Sequence, residues 1–395
     1  MKIGLLTPGW PGTGTPNGIA TSVRNLSAGL AAVGAAPIIL GNRDGPLTKG
    51  IPFAPLPSPD WTLADKLRAR LGAASRVQRR LQADCIVETI HRAADRHGLD
   101  AVIMEETKGW AARVAARARI PLIANLHGPW QLLSQVQGRP LGQEDHDRIR
   151  EETRAFARVA GLMAPSQASM SMTDGIAPGT PRALIRNACP PGPAPGPGER
   201  RPGHVLFVGR VERLKGADTV LMAFERLATT HPEARLTFVG PDTGLLMDDG
   251  RRLTMDDAVA TLAPRHRDRI SYLGRQTPDQ IAALRRTHPV ALIASRFENL
   301  NYSMLEAIGA HQAIVGTDVG GPAEILDDDV TARLVPAGDA EAMADALARL
   351  LGDPGLQARL TAAALAMLAR EFHPTVVAEQ TIGFLERVLA RPTHL

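Results

Sequence analysis

Short apolar runs alternate with longer stretches of helical periodicity along the whole chain, and a proline- and glycine-dense segment cuts the series in two. In the first half the apolar runs are Lys2–Leu6, Pro37–Leu40, Ala101–Met104, Leu122–Leu126 and Leu162–Ala164. Helical stretches lie between them, over Ile19–Val33, Leu63–Arg96, Gly109–Ala118 and Glu144–Val159. The second half repeats the rhythm. His204–Val208, Arg235–Val239, Ile270–Leu273, Val290–Ala294, Ala313–Thr317 and Ala332–Val335 read as strands. Ala217–Thr230, Pro278–Arg286, Tyr302–His311, Ala340–Leu351 and Gly355–Arg370 read as helices. Alternation of this kind predicts parallel sheets covered by helices, an α/β architecture in which ligands bind beyond the carboxyl ends of the strands.

The dividing segment runs from Cys189 to Gly198 and carries five prolines and three glycines. Proline and glycine at this density continue neither a helix nor a central strand. The expected organisation is an N-terminal Rossmann-like domain over 1–190, a linker over 191–203 and a C-terminal Rossmann-like domain over 204–374. Two domains is also the default for 395 residues. Two such units facing each other leave a ligand cleft between them. Thr375–Leu389 restarts after Phe372-His373-Pro374, and its pattern alone lets it pack on either domain.

The bulk numbers narrow the partners. Cys85 and Cys189 are the only cysteines, which points to a reducing compartment. The start, MKIGLLTPGWPG, is too short in apolar residues for a leader, and no run approaches the ~20 apolar residues of a membrane span. A cytoplasmic protein is expected. A net charge of +4 suits an anionic ligand or an anionic membrane. No basic stripe interleaved with aromatics and no zinc spacing is present, so no nucleic-acid partner is expected.

Two segments of the second half carry candidate chemistry. After the strand Val290–Ala294 comes Phe297-Glu-Asn-Leu-Asn-Tyr-Ser-Met-Leu-Glu306, a polar turn that leads into a helix. This geometry aims a helix N-terminus at an anion, with Asn299 or Asn301 as cap. Glu298 and Glu306 can then hold two hydroxyl-bearing parts of one ligand. Phe207-Val-Gly209-Arg210-Val-Glu-Arg-Leu-Lys215-Gly216 places an arginine and a lysine just past a strand. The arginine offers a two-pronged phosphate clamp and the lysine a mobile point charge. Read singly, each segment fits a charged surface loop equally well.

The first half offers a glycine-rich loop, Thr7-Pro-Gly-Trp-Pro-Gly-Thr-Gly-Thr-Pro-Asn17-Gly18, which is not the GxGxxG of dinucleotide sites. His127 ends a strand and precedes Gly128-Pro129-Trp130, while Glu105, Glu106 and Lys108 follow another strand. Lys66, Arg68, Arg70, Arg76, Arg79 and Arg80 share Trp61–Gln82 with Leu63, Leu67, Leu71 and Leu81. That pattern reads either as a solvated basic helix or as one lying on an anionic bilayer.

Together these segments resemble a GT-B-fold, family-4-type glycosyltransferase over nearly the full length. Glu298 and Glu306 are similar to the family's E-x7-E motif, followed by Ala307-Ile-Gly-Ala and Gly320-Gly321-Pro-Ala-Glu324. The Phe207–Gly216 segment resembles the family's phosphate-binding segment, and Leu126-His127-Gly128 its strand ending in histidine. Asn17 stands where the family has the first of two glycines.

The resemblance implies a set of roles. Arg210 and Lys215 bind the donor diphosphate and stabilise the departing nucleotide. Glu298 and the backbone amides of Asn299, Leu300 and Asn301 hold the donor sugar, with His127 near its reacting carbon. Glu306 takes the ribose, Gly274 and Arg275 lie near the base, and Gly18 and Gly209 bring backbone to the diphosphate. Asn17, Glu105, Lys108 and Trp130 are acceptor candidates. Also implied are retention of configuration, no metal, no cofactor beyond a UDP- or GDP-sugar co-substrate, and a final helix (375–395) returned to the first domain.

Aromatics make up only 4% of the chain, so sugar recognition is expected to lean on hydrogen bonds rather than stacking. The acceptor stays open between an envelope glycan (lipopolysaccharide or exopolysaccharide), another lipid-linked glycan and a small natural product. The basic 61–82 stretch favours an envelope glycan, made at the inner face of the plasma membrane. A nucleotide-sugar epimerase and a non-catalytic sugar-nucleotide-binding module are the competing functions.

Overall fold

A computed structural model describes residues 1–7, 18–41, 50–135, 140–247 and 250–391. The chain forms two compact units, Met1–Ala188 with His373–Leu395, and Cys189–Phe372.

The first unit is built on seven parallel strands: β1 (Lys2–Thr7), β2 (Ala36–Gly41), β3 (Phe53–Pro55), β4 (Ala101–Glu105), β5 (Leu122–Asn125), β6 (Gly161–Ala164) and β7 (Arg182–Leu184). Their order is β3-β2-β1-β4-β5-β6-β7. Successive side chains of a strand point to opposite faces. Ile3 and Leu5 therefore join Ile39, Ile103 and Ile123 against the helices Gly18–Ala32 and Pro374–Leu389. Leu6, Leu40, Val102 and Met104 face the other way, against Ala74–His97 and Gln143–Phe156. The final helix contributes Val377, Phe384 and Leu385 to this first unit. It fits closely because a Cβ on Gly29 would lie 2.0 Å from the Pro374 carbonyl oxygen.

The second unit orders six parallel strands as β12-β9-β8-β13-β14-β15. They are β8 (His204–Val208), β9 (Arg235–Val239), β12 (Ile270–Tyr272), β13 (Val290–Ile293), β14 (Ala313–Thr317) and β15 (Arg333–Val335). A short antiparallel ribbon, β10 (Leu245–Leu246) with β11 (Arg252–Leu253), lies apart from them. Phe207, Phe238, Leu292 and Val315 pack under Ala217–Thr230 and Ala340–Gly352, while Ile293 and Ile314 pack on Tyr302–Gly309 and Pro354–Glu371. The Pro/Gly stretch is fastened to this unit. Cys189 N–H donates to Phe372 O at 2.8 Å, and Gly192 N–H to Gly309 O at 2.8 Å. Arg200 donates to the carbonyls of Ala310 and His311.

Three features depart from the sequence reading. The single helix expected over Leu63–Arg96 is instead Leu63–Arg68, a wide turn over Ala69–Ala73, and Ala74–His97. Gly72 breaks it by adopting φ 85°, a region other residues enter only at a cost. Leu81 is consequently buried in the core, whereas Leu63, Leu67 and Leu71 are 85%, 60% and 78% exposed. The edge strands β3 and β7 and the ribbon β10–β11 had no recognisable run. Gly320–Ile325 forms a short helix that the sequence reading did not include.

Candidate active site

In both units the strand order reverses direction at one place, between β1 and β4 and between β8 and β13. At such a switch point the loops leave the sheet on opposite sides and open a crevice beyond the strand ends.

In the second unit, Lys215 and Glu298 meet across this point. Lys215 Nζ donates to Glu298 Oε2 at 2.5 Å. The same oxygen accepts from Ser295 Oγ at 2.9 Å and Asn301 Nδ2 at 3.2 Å. Asn301 also caps the helix Tyr302–Gly309, its Oδ1 accepting from Ser303 N–H at 2.7 Å. Gly216 brings the lysine loop against β13: its φ is 72°, and a Cβ there would lie 1.9 Å from Ala294 O. Arg210 stands further out. Its guanidinium donates to Glu212 Oε1 through Nε (2.9 Å) and Nη2 (2.7 Å).

The loop bearing Glu298 rests on glycines. Gly321 N–H donates to Glu298 O at 3.1 Å, and a Cβ on Gly321 would come 1.6 Å from Asn299 O. Asn299 and Leu300 are buried beneath this contact. Gly209 N–H donates to Val239 O at 2.9 Å. Gly274 and Arg275 follow β12, which lies two strands from β8.

Glu306 is positioned by Arg285, a residue with no signal in the sequence pattern. Arg285 is buried, and its Nη2 donates to Glu306 Oε2 (3.2 Å) and Ser303 Oγ (3.1 Å), its Nη1 to Gln312 Oε1 (3.2 Å). Burial holds its pKa below the usual arginine range, with Glu306 opposing that shift. Glu212 and Ser295 were likewise missed as supports of Arg210 and Glu298. A charged helix end such as Leu284-Arg-Arg-Thr287 reads as solvated, so nothing marked Arg285.

In the first unit, β4 ends in two buried carboxyls. Glu106 Oε2 accepts from His127 N–H (3.0 Å) and Oε1 from Gly128 N–H (2.7 Å), which ties β4 to the turn after β5. Burial, with Glu152 nearby, raises Glu106 to about 7. His127 lies beside Asn125, Nε2 to Nδ2 3.1 Å, and burial lowers it to about 4, so the ring is neutral at pH 7. Glu152, also buried and raised by burial, accepts from Trp130 N–H at 2.6 Å and Arg148 Nε at 2.7 Å. Trp130 Nε1 donates to Asp145 at 2.9 Å, and Arg148 lies 4.2 Å over its ring. Lys108 sits 5.5 Å over Trp110. Beneath these groups is a cavity of about 700 Å³, lined by Thr7, Glu105, Lys108 and Trp130 among others. Gly18 opens the helix after β1, while Asn17 lies outside the described residues.

Glu105 makes a pH prediction. Burial, helped by the charge of Glu106, raises its pKa from 4.5 to about 8, opposed by Lys108. Between those values the folded chain keeps a proton that the unfolded chain has released, so stability falls as pH rises from about 4.5 to about 8 and is level above. Glu105→Gln removes this titration. In urea unfolding at pH 5.5 and 8.5, the variant should gain on the wild type by a few kcal/mol at the higher pH; parallel pH profiles would show that Glu105 does not titrate there.

Residues 16–188 match the domain described as Glycosyltransferase Family 4, and 202–353 that described as Glycosyl transferases group 1. The D-inositol 3-phosphate glycosyltransferase of Acidothermus cellulolyticus is 32% identical over 190 residues, 47% of this chain and 41% of that protein. The chain thus spans less than half the length of that curated relative. Among solved structures, sucrose-phosphate synthase from Thermosynechococcus elongatus superposes with a TM-score of 0.75 at 19% identity, covering 98% of this chain and 99% of that one. Anabaena HepE, solved with UDP and glucose, gives 0.70 at 18% identity, covering 98% and 100%. Both likenesses show the GT-B fold. With a family-4 domain in its first half and a group-1 domain in its second, the chain belongs to the family-4 glycosyltransferases.

Proposed function

We propose that the protein transfers a hexose from a UDP- or GDP-linked donor to an acceptor hydroxyl with retention of configuration and without a metal, in the synthesis of an envelope glycan. The observation that carries this reading is the Lys215–Glu298 contact at the switch point of the second unit. It sets a cation for the diphosphate beside a carboxylate for the sugar hydroxyls. Arg210, Gly209 and Gly18 serve the diphosphate, Asn299 to Asn301 the sugar, Glu306 the ribose, and Gly274 with Arg275 the base. His127, neutral, touches the sugar near its reacting carbon; Glu105, Lys108 and Trp130 serve the acceptor.

In the proposed reaction the acceptor oxygen bonds to the anomeric carbon from the face that the nucleotide leaves. The bond from that carbon to the phosphate oxygen breaks, and the departing phosphate takes the acceptor's proton. Negative charge grows on the diphosphate, where Lys215 and Arg210 meet it. Stabilising charge that appears only in the transition state raises turnover rather than ground-state binding. HepE, solved with UDP and glucose, supports a uridine donor. A thermal-shift panel of UDP- and GDP-sugars tests the reading: a ligand at 100 times its Kd stabilises by about 2.7 kcal/mol. Turnover should continue unchanged in EDTA. Absence of any shift would overturn the donor site, and donor converted to its epimer without acceptor would favour an epimerase.

We also propose that the protein works at the cytoplasmic face of the membrane. Among the described residues no helix is long and apolar enough to cross one. Leu63, Leu67 and Leu71 stand exposed beside exposed Lys66, Arg68, Arg70 and Arg76. Apolar side chains insert into a bilayer surface, and each nearby cation adds about 1 kcal/mol on anionic lipid. Changing the three leucines to serine should lower co-sedimentation with phosphatidylglycerol vesicles at least tenfold without changing turnover on a soluble acceptor. Equal sedimentation of wild type and variant would refute it.

A further inference from the structure

Three of the four tryptophans of the chain converge on one cavity. Trp61, Trp110 and Trp130 come from separate parts of the first unit, yet all line the space of about 700 Å³ beyond β1 and β4. The fourth, Trp10, lies outside the described residues. The volume falls within the roughly 300–1,000 Å³ of small-molecule sites. Indole rings present broad apolar faces, with one N–H at the edge that seeks a partner. Such faces suit the C–H side of a pyranose, while hydroxyls at the ring's rim need donors and acceptors.

The polar lining supplies those and little else. The lining sets three cations, Arg79, Lys108 and Arg148, against the carboxylates Glu144 and Asp145 and the protonated carboxyl of Glu105. The cations are engaged: Arg148 with Glu152 at 2.7 Å, Arg79 with Asp147 at 4.0 Å, Lys108 over Trp110 at 5.5 Å. A phosphate needs free charge-assisted donors, and each of these cations already has a partner. Two buried groups in the lining, Glu105 Oε2 and Trp110 Nε1, have no hydrogen-bond partner among the described residues. Glu105 is 2% exposed. Unpaired buried polar groups are costly, so each is a candidate partner for a hydroxyl of a ligand.

We infer that this cavity receives the acceptor as an uncharged saccharide ring, stacked on tryptophan and hydrogen-bonded to Glu105 and Trp110, rather than as a phosphorylated polyol. The inference rests on the glycosyltransferase reading and deepens it by naming the acceptor class. Glu105, which burial keeps protonated up to about pH 8, donates as well as accepts at such a hydroxyl.

The test uses the full chain without donor. Tryptophan emission is titrated with methyl glycosides of glucose, galactose, mannose and N-acetylglucosamine, with myo-inositol, and with glucose 6-phosphate and inositol phosphate as the opposing arm. At least one uncharged sugar should bind, each phosphate at least tenfold more weakly. Trp61→Ala, on a half-exposed ring, and Trp110→Phe, which removes only the N–H and the second ring, should each weaken that sugar at least tenfold while the UDP-induced thermal shift stays unchanged. Tighter binding of the phosphates, no binding by any uncharged sugar, or unaltered binding by both variants overturns the inference. If UDP still shifts the melting point in those cases, the transferase reading stands and the acceptor assignment alone falls. If UDP also fails, the donor site falls first.

Discussion

Turnover of Lys215→Ala should fall roughly 100- to 1,000-fold, the loss seen when one preorganised donor to a developing negative charge is removed. Donor affinity should fall less than tenfold. The asymmetry follows from what the variant leaves behind. Glu298 keeps its hydrogen bonds from Ser295 and Asn301, so the sugar-facing carboxylate stays in place and ground-state binding survives. What is lost is the ammonium 2.5 Å from that carboxylate, which meets charge on the leaving diphosphate. Arg210, held outward by Glu212, should cost less when changed to alanine. Measuring kcat and KM alongside donor Kd by calorimetry separates the two effects. Near-normal kcat in Lys215→Ala would rule out the leaving-group role.

Gly321→Ala should lower the stability of the second unit by about 3 kcal/mol, at the upper end for overpacking, and lower kcat/KM with it. The added Cβ would sit 1.6 Å from the Asn299 carbonyl oxygen, a separation no contact tolerates. Backbone is the obstacle on both sides, so no side chain can swing away. The Gly321 N–H bond to Glu298 O must stretch or break, and the loop bearing Glu298 moves with it. Gly352→Ala is the matched control: nothing lies within 4 Å of a Cβ there, and its effect should stay within about 0.5 kcal/mol. Denaturant unfolding and steady-state kinetics on the two variants test the contrast. Equal stability of both would show that the close approach is easily relieved.

The central strands were legible because parallel strands buried on both faces read as unbroken apolar runs. His204–Val208, Arg235–Val239 and Ala313–Thr317 stand where their patterns put them. The edge strands Phe53–Pro55 and Arg182–Leu184 were hidden: three residues, partly exposed, leave no period to read. That Lys215 and Glu298 would come near one another was legible through their spacing after two strands. The support of Glu306 was not, since Arg285 and Glu306 sit on two separate helices that only the folded chain brings together. The same holds for the tryptophans. Low aromatic content argued against stacking, yet positions 61, 110 and 130 share one cavity, and composition cannot report a convergence made in space.

The return of Pro374–Leu389 to the first unit has a consequence for synthesis on the ribosome. Domains usually complete in the order in which they emerge. Here the sheet of the first unit lacks Val377, Phe384 and Leu385 on one face until the codons of Pro374–Leu389 are read. The second unit, contiguous from Cys189 to Phe372, has everything it needs earlier. At bacterial and eukaryotic elongation rates that leaves Ile3, Leu5 and Leu30 uncovered for roughly ten to forty seconds. The nascent N-terminal half is therefore the stretch that calls for a chaperone, and a stop codon before residue 374 would leave it permanently open.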